Sequence, residues 1–119
     1  MPPMSEASEP WWIVCLCAQW CKVCRGWRAD FEALAAQQPQ WRFAWVDVED
    51  EEELVGDFDV ETFPTLLLGR AGQLRYCAPI APRPEVLLRL AQGLLGEHAP
   101  GTGNAEVLAL LQRIIAERS

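Results

Sequence analysis

The sequence predicts an α/β fold: a central mixed four-stranded sheet flanked by helices, with an extra helix at the C-terminus. Three patterns carry that prediction. Residues 11–48 run apolar, amphipathic, apolar, the signature of a strand–helix–strand unit. Two further apolar runs, at 64–69 and 73–77, are separated by a short turn and read as a hairpin. Apolar positions at three- and four-residue steps recur at 84–95 and 105–118, as in amphipathic helices. The chain has 119 residues, half of them hydrophobic. That is enough for one domain with a sizeable core and too little for two.

The first strand, WWIVCLCA (11–18), is apolar on both faces, as a central strand covered from two sides must be. Residues 21–38 follow as a helix, with Val23, Trp27, Phe31, Leu34 and Ala35 forming one apolar stripe. Gly26 weakens it by about 1 kcal/mol relative to Ala, and Pro39 ends it. WRFAWVDV (41–48) is the second strand; a strand–helix–strand crossover makes it parallel to the first. Residues 49–58 read as a short helix whose acids crowd its start, where the macrodipole favours them.

Residues 64–69 and 73–77 form the hairpin, and the Pro-broken segment after it leads to the helix at 84–95. In the last helix Val107, Leu108, Leu111, Ile114 and Ile115 share a face, and Asn104 is its expected cap. The expected organisation is a disordered tail (1–10), a domain (11–95), a linker (96–104) and an amphipathic helix (105–119) packed on that domain. A monomer is expected on the same grounds, because a chain this short needs the helix in its core.

Composition narrows the function. The net charge of −7 argues against nucleic acid, which needs clustered Lys and Arg, and against an anionic membrane surface. The apolar run at 11–18 is too short to cross a bilayer. The first ten residues have neither a basic start nor an apolar run, so a cytoplasmic location is expected, where thiols stay reduced. Five cysteines also fit poorly with a closed disulfide framework.

Four of those five fall within ten residues, CLCAQWCKVC (15–24). Cys21 lies at a strand-to-helix junction, where unpaired backbone N–H groups and the macrodipole favour a thiolate, and Lys22 acts in the same sense. Cys24, one turn on, can reach Cys21 and resolve a mixed disulfide. Cys15 and Cys17 alternate with Leu16 and therefore share one strand face, the face under this helix. Buried Cys behaves as a small hydrophobe, so packing is the expected role for both. A third thiol near Cys24 is the sharper alternative. A four-thiolate metal site is disfavoured, because strand backbone rarely gathers tetrahedral ligands, and no metal or other cofactor is expected.

With Trp20-Cys21-Lys22-Val23-Cys24 at the junction and Phe63-Pro64-Thr65 opening the third strand, the chain resembles the thioredoxin family over residues 11–95. The resemblance implies a sheet in spatial order 2-1-3-4 and a cis Pro64 facing the Cys-x-x-Cys pair. It implies a thiol–disulfide oxidoreductase that reduces protein disulfides, with Cys21 and Cys24 catalytic. Trp20, Phe63, Pro64 and Thr65 would form the substrate platform, with Ile80 at its rim. A separate reductase of the thioredoxin-reductase kind would supply electrons.

Three departures bear on this. Lys22-Val23 replaces the family's usual Gly-Pro; Val23 cannot donate a hydrogen bond to the Cys21 thiolate and there is no His as in the oxidising relatives, which places the pair on the reducing side. Cys15 stands where the family often has a buried Asp under the second cysteine, so Cys15 and Lys22 are the candidate modulators of the thiolate. The family's first strand and helix have no counterpart before residue 11, so the strand at 41–48 should be a sheet edge. The alternative function is a thioredoxin-like protein-binding module with weak or no redox activity, docking through its last helix or an acidic rim. Nine acids fall between Asp47 and Glu61; a solvated surface is the plainer account of them. Trp20 is the tryptophan expected at the surface, His98 is expected to be solvated in the linker, and Cys77 is expected to pack.

Overall fold

The computed structural model describes residues 10–96 and 101–119. The element order is β1 (Trp11–Cys17), α1 (Lys22–Gln37), β2 (Trp41–Asp47), α2 (Glu52–Val55), β3 (Thr65–Arg70), β4 (Gln73–Pro79), α3 (Pro84–Leu94) and α4 (Ala105–Arg118). The four strands form one mixed sheet in the order β2-β1-β3-β4. β2 runs parallel to β1 and lies at an edge, while β3 is antiparallel to both β1 and β4. The expected tail at 1–10 falls almost wholly outside the described residues, and so does His98.

Side-chain alternation along β1 divides the core in two. Trp12, Val14 and Leu16 face one side, where they meet Val107, Leu110, Leu111 and Ile114 of α4. Ile13, Cys15 and Cys17 face the other, where α1 contributes Cys24, Trp27, Phe31 and Leu34, and α3 contributes Leu87 and Ala91. α4 therefore supplies much of the second helical layer. Its N-terminus is capped by Asn104, whose Oδ1 accepts from Val107 N at 3.1 Å. Near its other end, Arg113 donates to the carbonyls of Leu54 (3.0 Å) and Val55 (2.9 Å) at the C-terminus of α2, where helix carbonyls lack intrahelical partners. Arg118 pairs with Glu51 at 2.9 Å and donates to Trp45 O.

Two helix faces differ from the sequence reading. In α1 the buried stripe is Cys24, Trp27, Phe31 and Leu34, and Val23 is 49% exposed. The stripe can start at 23 or 24 with equal periodicity; packing on β1 selects 24 because the sulfur fits beneath the helix start. In α4 Leu110 is fully buried, while Leu108 and Ile115 are half-buried at the flanks.

A close approach occurs at Gly69, where β3 is irregular against β4. A Cβ there would lie 2.8 Å from Leu111 Cδ2 and closer still to the carbonyl oxygen of Gln73. Only glycine lets the hairpin and α4 come together at that point.

Candidate active site

The site forms where β1 ends and α1 begins. Ala18 O accepts from Cys21 N at 2.9 Å, turning the chain out of the strand. Cys21 is the N-cap residue of α1, and its side chain makes no capping hydrogen bond. It is half-buried and free. Arg25 steadies the turn from the helix by donating to Gln19 O at 2.9 Å. Lys22 and Val23 are exposed on the first turn.

Trp20 is 60% exposed, as the sequence reading expects. Its ring meets Phe63 edge-on at 5.5 Å, joining the junction to the loop before β3. Its indole N–H donates to Glu49 Oε2 at 2.8 Å. Glu49 belongs to a turn organised by Asp47, whose Oδ1 accepts from Glu49 N (2.9 Å) and Asp50 N (3.0 Å). The Phe63–Pro64 peptide is cis. Pro64 O accepts from Ile80 N, and the Thr65 hydroxyl donates to Thr62 O, so each closes its own corner of the loop. Ile80 is buried in the core beneath α1 and α3, not placed at a rim.

The sulfur arrangement departs most from expectation. Cys24 is disulfide-bonded to Cys17, with Cα atoms 5.9 Å apart, and Cys21 stands outside the bond. That Cα separation lies within the ordinary disulfide range. Both bonded cysteines are 1% exposed. Cys15, one pleat step further along β1, is fully buried with its Sγ 3.7 Å from Cys17 Sγ. A disulfide sulfur carries no proton, so in this state Cys15 is the donor. Burial pushes the Cys15 thiol up to about 12; the nearby Trp27 indole acts the other way and more weakly. The Trp27 N–H is buried and otherwise without a hydrogen-bond partner.

The residue beneath Cys24 is thus Cys17, not Cys15, and packing is not its whole role. Alternation put both on the correct face; which one meets Cys24 depends on how far α1 overhangs the strand end. Cys77, on β4, is half-buried against the opposite core, and burial raises its thiol pKa as well. A crevice of about 120 Å³, bounded by Ala18, Gln19, Arg25, Arg28, Trp45, Asp47 and Asp50, reaches Cys24 from the β2 side. Among the described residues no cluster of His, Cys, Asp and Glu is arranged to hold a metal ion.

The thioredoxin family model matches residues 4–88. The chain belongs to the thioredoxin family. It is 27% identical over 62 residues to a thioredoxin of Mycoplasmoides gallisepticum, a match covering 52% of this chain and 62% of that protein. The chain therefore spans less than two thirds of that curated relative. Among solved structures it resembles Fasciola hepatica thioredoxin, with TM-score 0.63, 27% identity and coverage of 75% of this chain and 86% of that one. It also resembles thioredoxin from Trypanosoma brucei brucei, with TM-score 0.60, 26% identity and coverage of 75% and 79%. No helix among the described residues is long and apolar enough to cross a membrane.

Proposed function

We propose that this thioredoxin-family chain is a thiol–disulfide oxidoreductase that reduces disulfides of other proteins. The observation that carries the reading is the setting of Cys21. It is a free, half-exposed thiol at a helix start, next to an exposed Trp20 that packs on Phe63. A second cysteine lies one turn on, beneath it.

In the proposed reaction the Cys21 thiolate attacks one sulfur of a substrate disulfide. A Cys21–substrate bond forms, and the other substrate sulfur leaves as a thiolate. The Cys24 thiolate then attacks Cys21 Sγ, releasing the second substrate thiolate and leaving Cys21–Cys24 oxidised. Two electrons pass to the substrate. A separate reductase of the thioredoxin-reductase kind returns them. Trp20, Phe63, Pro64 and Thr65 form the platform, with the Phe63 backbone pairing to an extended substrate segment. The crevice beside Cys24 provides a path for its proton. The reaction belongs in a compartment that keeps thiols reduced, such as the cytoplasm.

One observation favours a second reading. With Cys24 bonded to Cys17, Cys21 has no resolving partner, as in a binding module with little turnover. Insulin reduction with dithiothreitol as electron source separates the two. Turnover by the wild type, abolished by Cys21→Ser, supports the reductase. An intact protein that does not accelerate the reaction sinks it in favour of the module.

A further inference from the structure

We infer that Cys17 is a third redox-active cysteine, which takes the disulfide over from Cys21 and stores it inside the domain; this rests on the reductase reading above. The sulfurs are graded by depth. Cys21 is half-exposed at the helix start. Cys24 and Cys17 are each 1% exposed and bonded to one another across the junction of α1 and β1. Cys15 lies behind them, its sulfur 3.7 Å from that of Cys17.

Direct oxidation of the buried pair by a protein-sized disulfide is sterically closed, because Cys17 and Cys24 are each 1% exposed and the crevice that reaches Cys24 holds only about 120 Å³. Cys21 is the sulfur such an oxidant can touch. Cys24 belongs to both pairs: it lies one helical turn from Cys21 and across from Cys17. The oxidised pair therefore reaches Cys17 by internal exchange. The Cys17 thiolate attacks Cys24 Sγ of the Cys21–Cys24 disulfide. The Cys24–Cys17 bond forms, the Cys24–Cys21 bond breaks, and Cys21 leaves as the thiolate. The proton that Cys17 gives up balances the one that Cys21 takes back, so the step is redox-neutral and needs no further oxidant. Cys15 assists as a neighbouring S–H donor, aimed at the sulfur that carries negative charge before the attack.

The step also accounts for the free Cys21 in a structure whose Cys24 is oxidised. Its consequence is protection from protein-sized dithiols, which the crevice beside Cys24 is too small to admit: they reach the stored disulfide once Cys21 attacks Cys24 Sγ and carries it back out.

The test starts from fully reduced protein and one equivalent of insulin as the oxidant. Samples are quenched with iodoacetamide over time, and the linkages are mapped by mass spectrometry of non-reduced peptides. The expected wild-type end state is Cys17–Cys24, with Cys21, Cys15 and Cys77 alkylated after denaturation. Cys17→Ser and Cys17→Ala should instead stop at Cys21–Cys24, with Cys21 protected from alkylation. In Cys21→Ser the Cys17–Cys24 bond should form at a small fraction of the wild-type rate. A wild-type end state of Cys21–Cys24 overturns the relay and leaves the reductase reading intact. Unimpaired Cys17–Cys24 formation in Cys21→Ser also overturns it, since the bond then needs no surface thiol. No insulin-dependent oxidation of any of these cysteines overturns the reductase reading, and the relay with it. The wild-type map decides the matter even if the Cys17 variants fold poorly.

Discussion

Replacing Cys15 by Ala should produce a stability penalty that disappears in alkali. In the folded chain, desolvation pushes this thiol from its ordinary 9.0 up to about 12, and the Trp27 indole offsets only part of that. The unfolded chain keeps the ordinary value. The folded state therefore holds the proton more tightly, and the sign follows. Stability due to Cys15 is fully present below about pH 9 and is lost as pH rises from there towards 12. Each pH unit in that window removes about 1.4 kcal/mol, so about 2 kcal/mol is gone by roughly pH 10.5.

Ala carries no titrating group. At pH 7 the variant should be less stable by about 1 kcal/mol, from the lost packing of one buried sulfur. By roughly pH 10.5 it should equal or exceed the wild type. Urea denaturation of both proteins, fully reduced with a phosphine, gives the difference directly. Cys77, whose thiol is also raised, is common to both and cancels. A Cys17 thiolate, 3.7 Å away, would only push Cys15 further in the same direction. Parallel stability curves from pH 7 to 10.5 would refute the reasoning. So would ready alkylation of Cys15 in native protein at pH 8.

Three other substitutions test the packing. Gly69→Ala forces a Cβ against the Gln73 carbonyl and Leu111 and should cost about 3 kcal/mol, visible as a lower urea midpoint; a neutral result would mean the hairpin and α4 do not meet there. Ile114→Ala empties a fully buried site between α4 and the sheet and should cost about 2–4 kcal/mol. A loss under about 1 kcal/mol, or a Tm that depends on protein concentration, would show that this helix is not part of its own domain's core. Gly26→Ala should stabilise by about 1 kcal/mol, because an added Cβ meets nothing within 4 Å on the exposed side of α1. Thermal melts followed by circular dichroism should then rise by several degrees; a drop would contradict the exposed placement.

Much of the fold is legible without coordinates because it rests on local periodicity. β1 announces itself as a central strand by being apolar at every position, and α1 by apolar steps of three and four. Strand–helix–strand order fixes β2 as parallel, and the short 71–72 turn fixes the β3–β4 hairpin. Asn104 is readable as a cap because a short side-chain acceptor precedes an amphipathic run. The errors fall where periodicity leaves a choice between adjacent positions, as with Val23 against Cys24 and Leu108 against Leu110. Only contact with the opposing sheet breaks that tie.

The site divides in the same way. Sequence alone determines that Cys21 sits at a helix start, that Cys24 follows one turn later, and that Cys15 and Cys17 look towards that helix. Those are consequences of chain connectivity and alternation. It cannot determine which strand thiol meets Cys24, because that depends on the angle and overhang of α1 on β1, a property of the whole packed layer. Nor can it show that Glu49 holds Trp20, or that Arg118 reaches back to Glu51, since those contacts join segments 29 and 67 residues apart. The tertiary structure decides them by bringing the ends of β1 and β2 together, with Val48 N donating to Cys17 O at 2.8 Å. That junction fixes the end of β1, and the overhang of α1 above it sets Cys17 against Cys24 while Cys21 stays free and half-buried at the helix start.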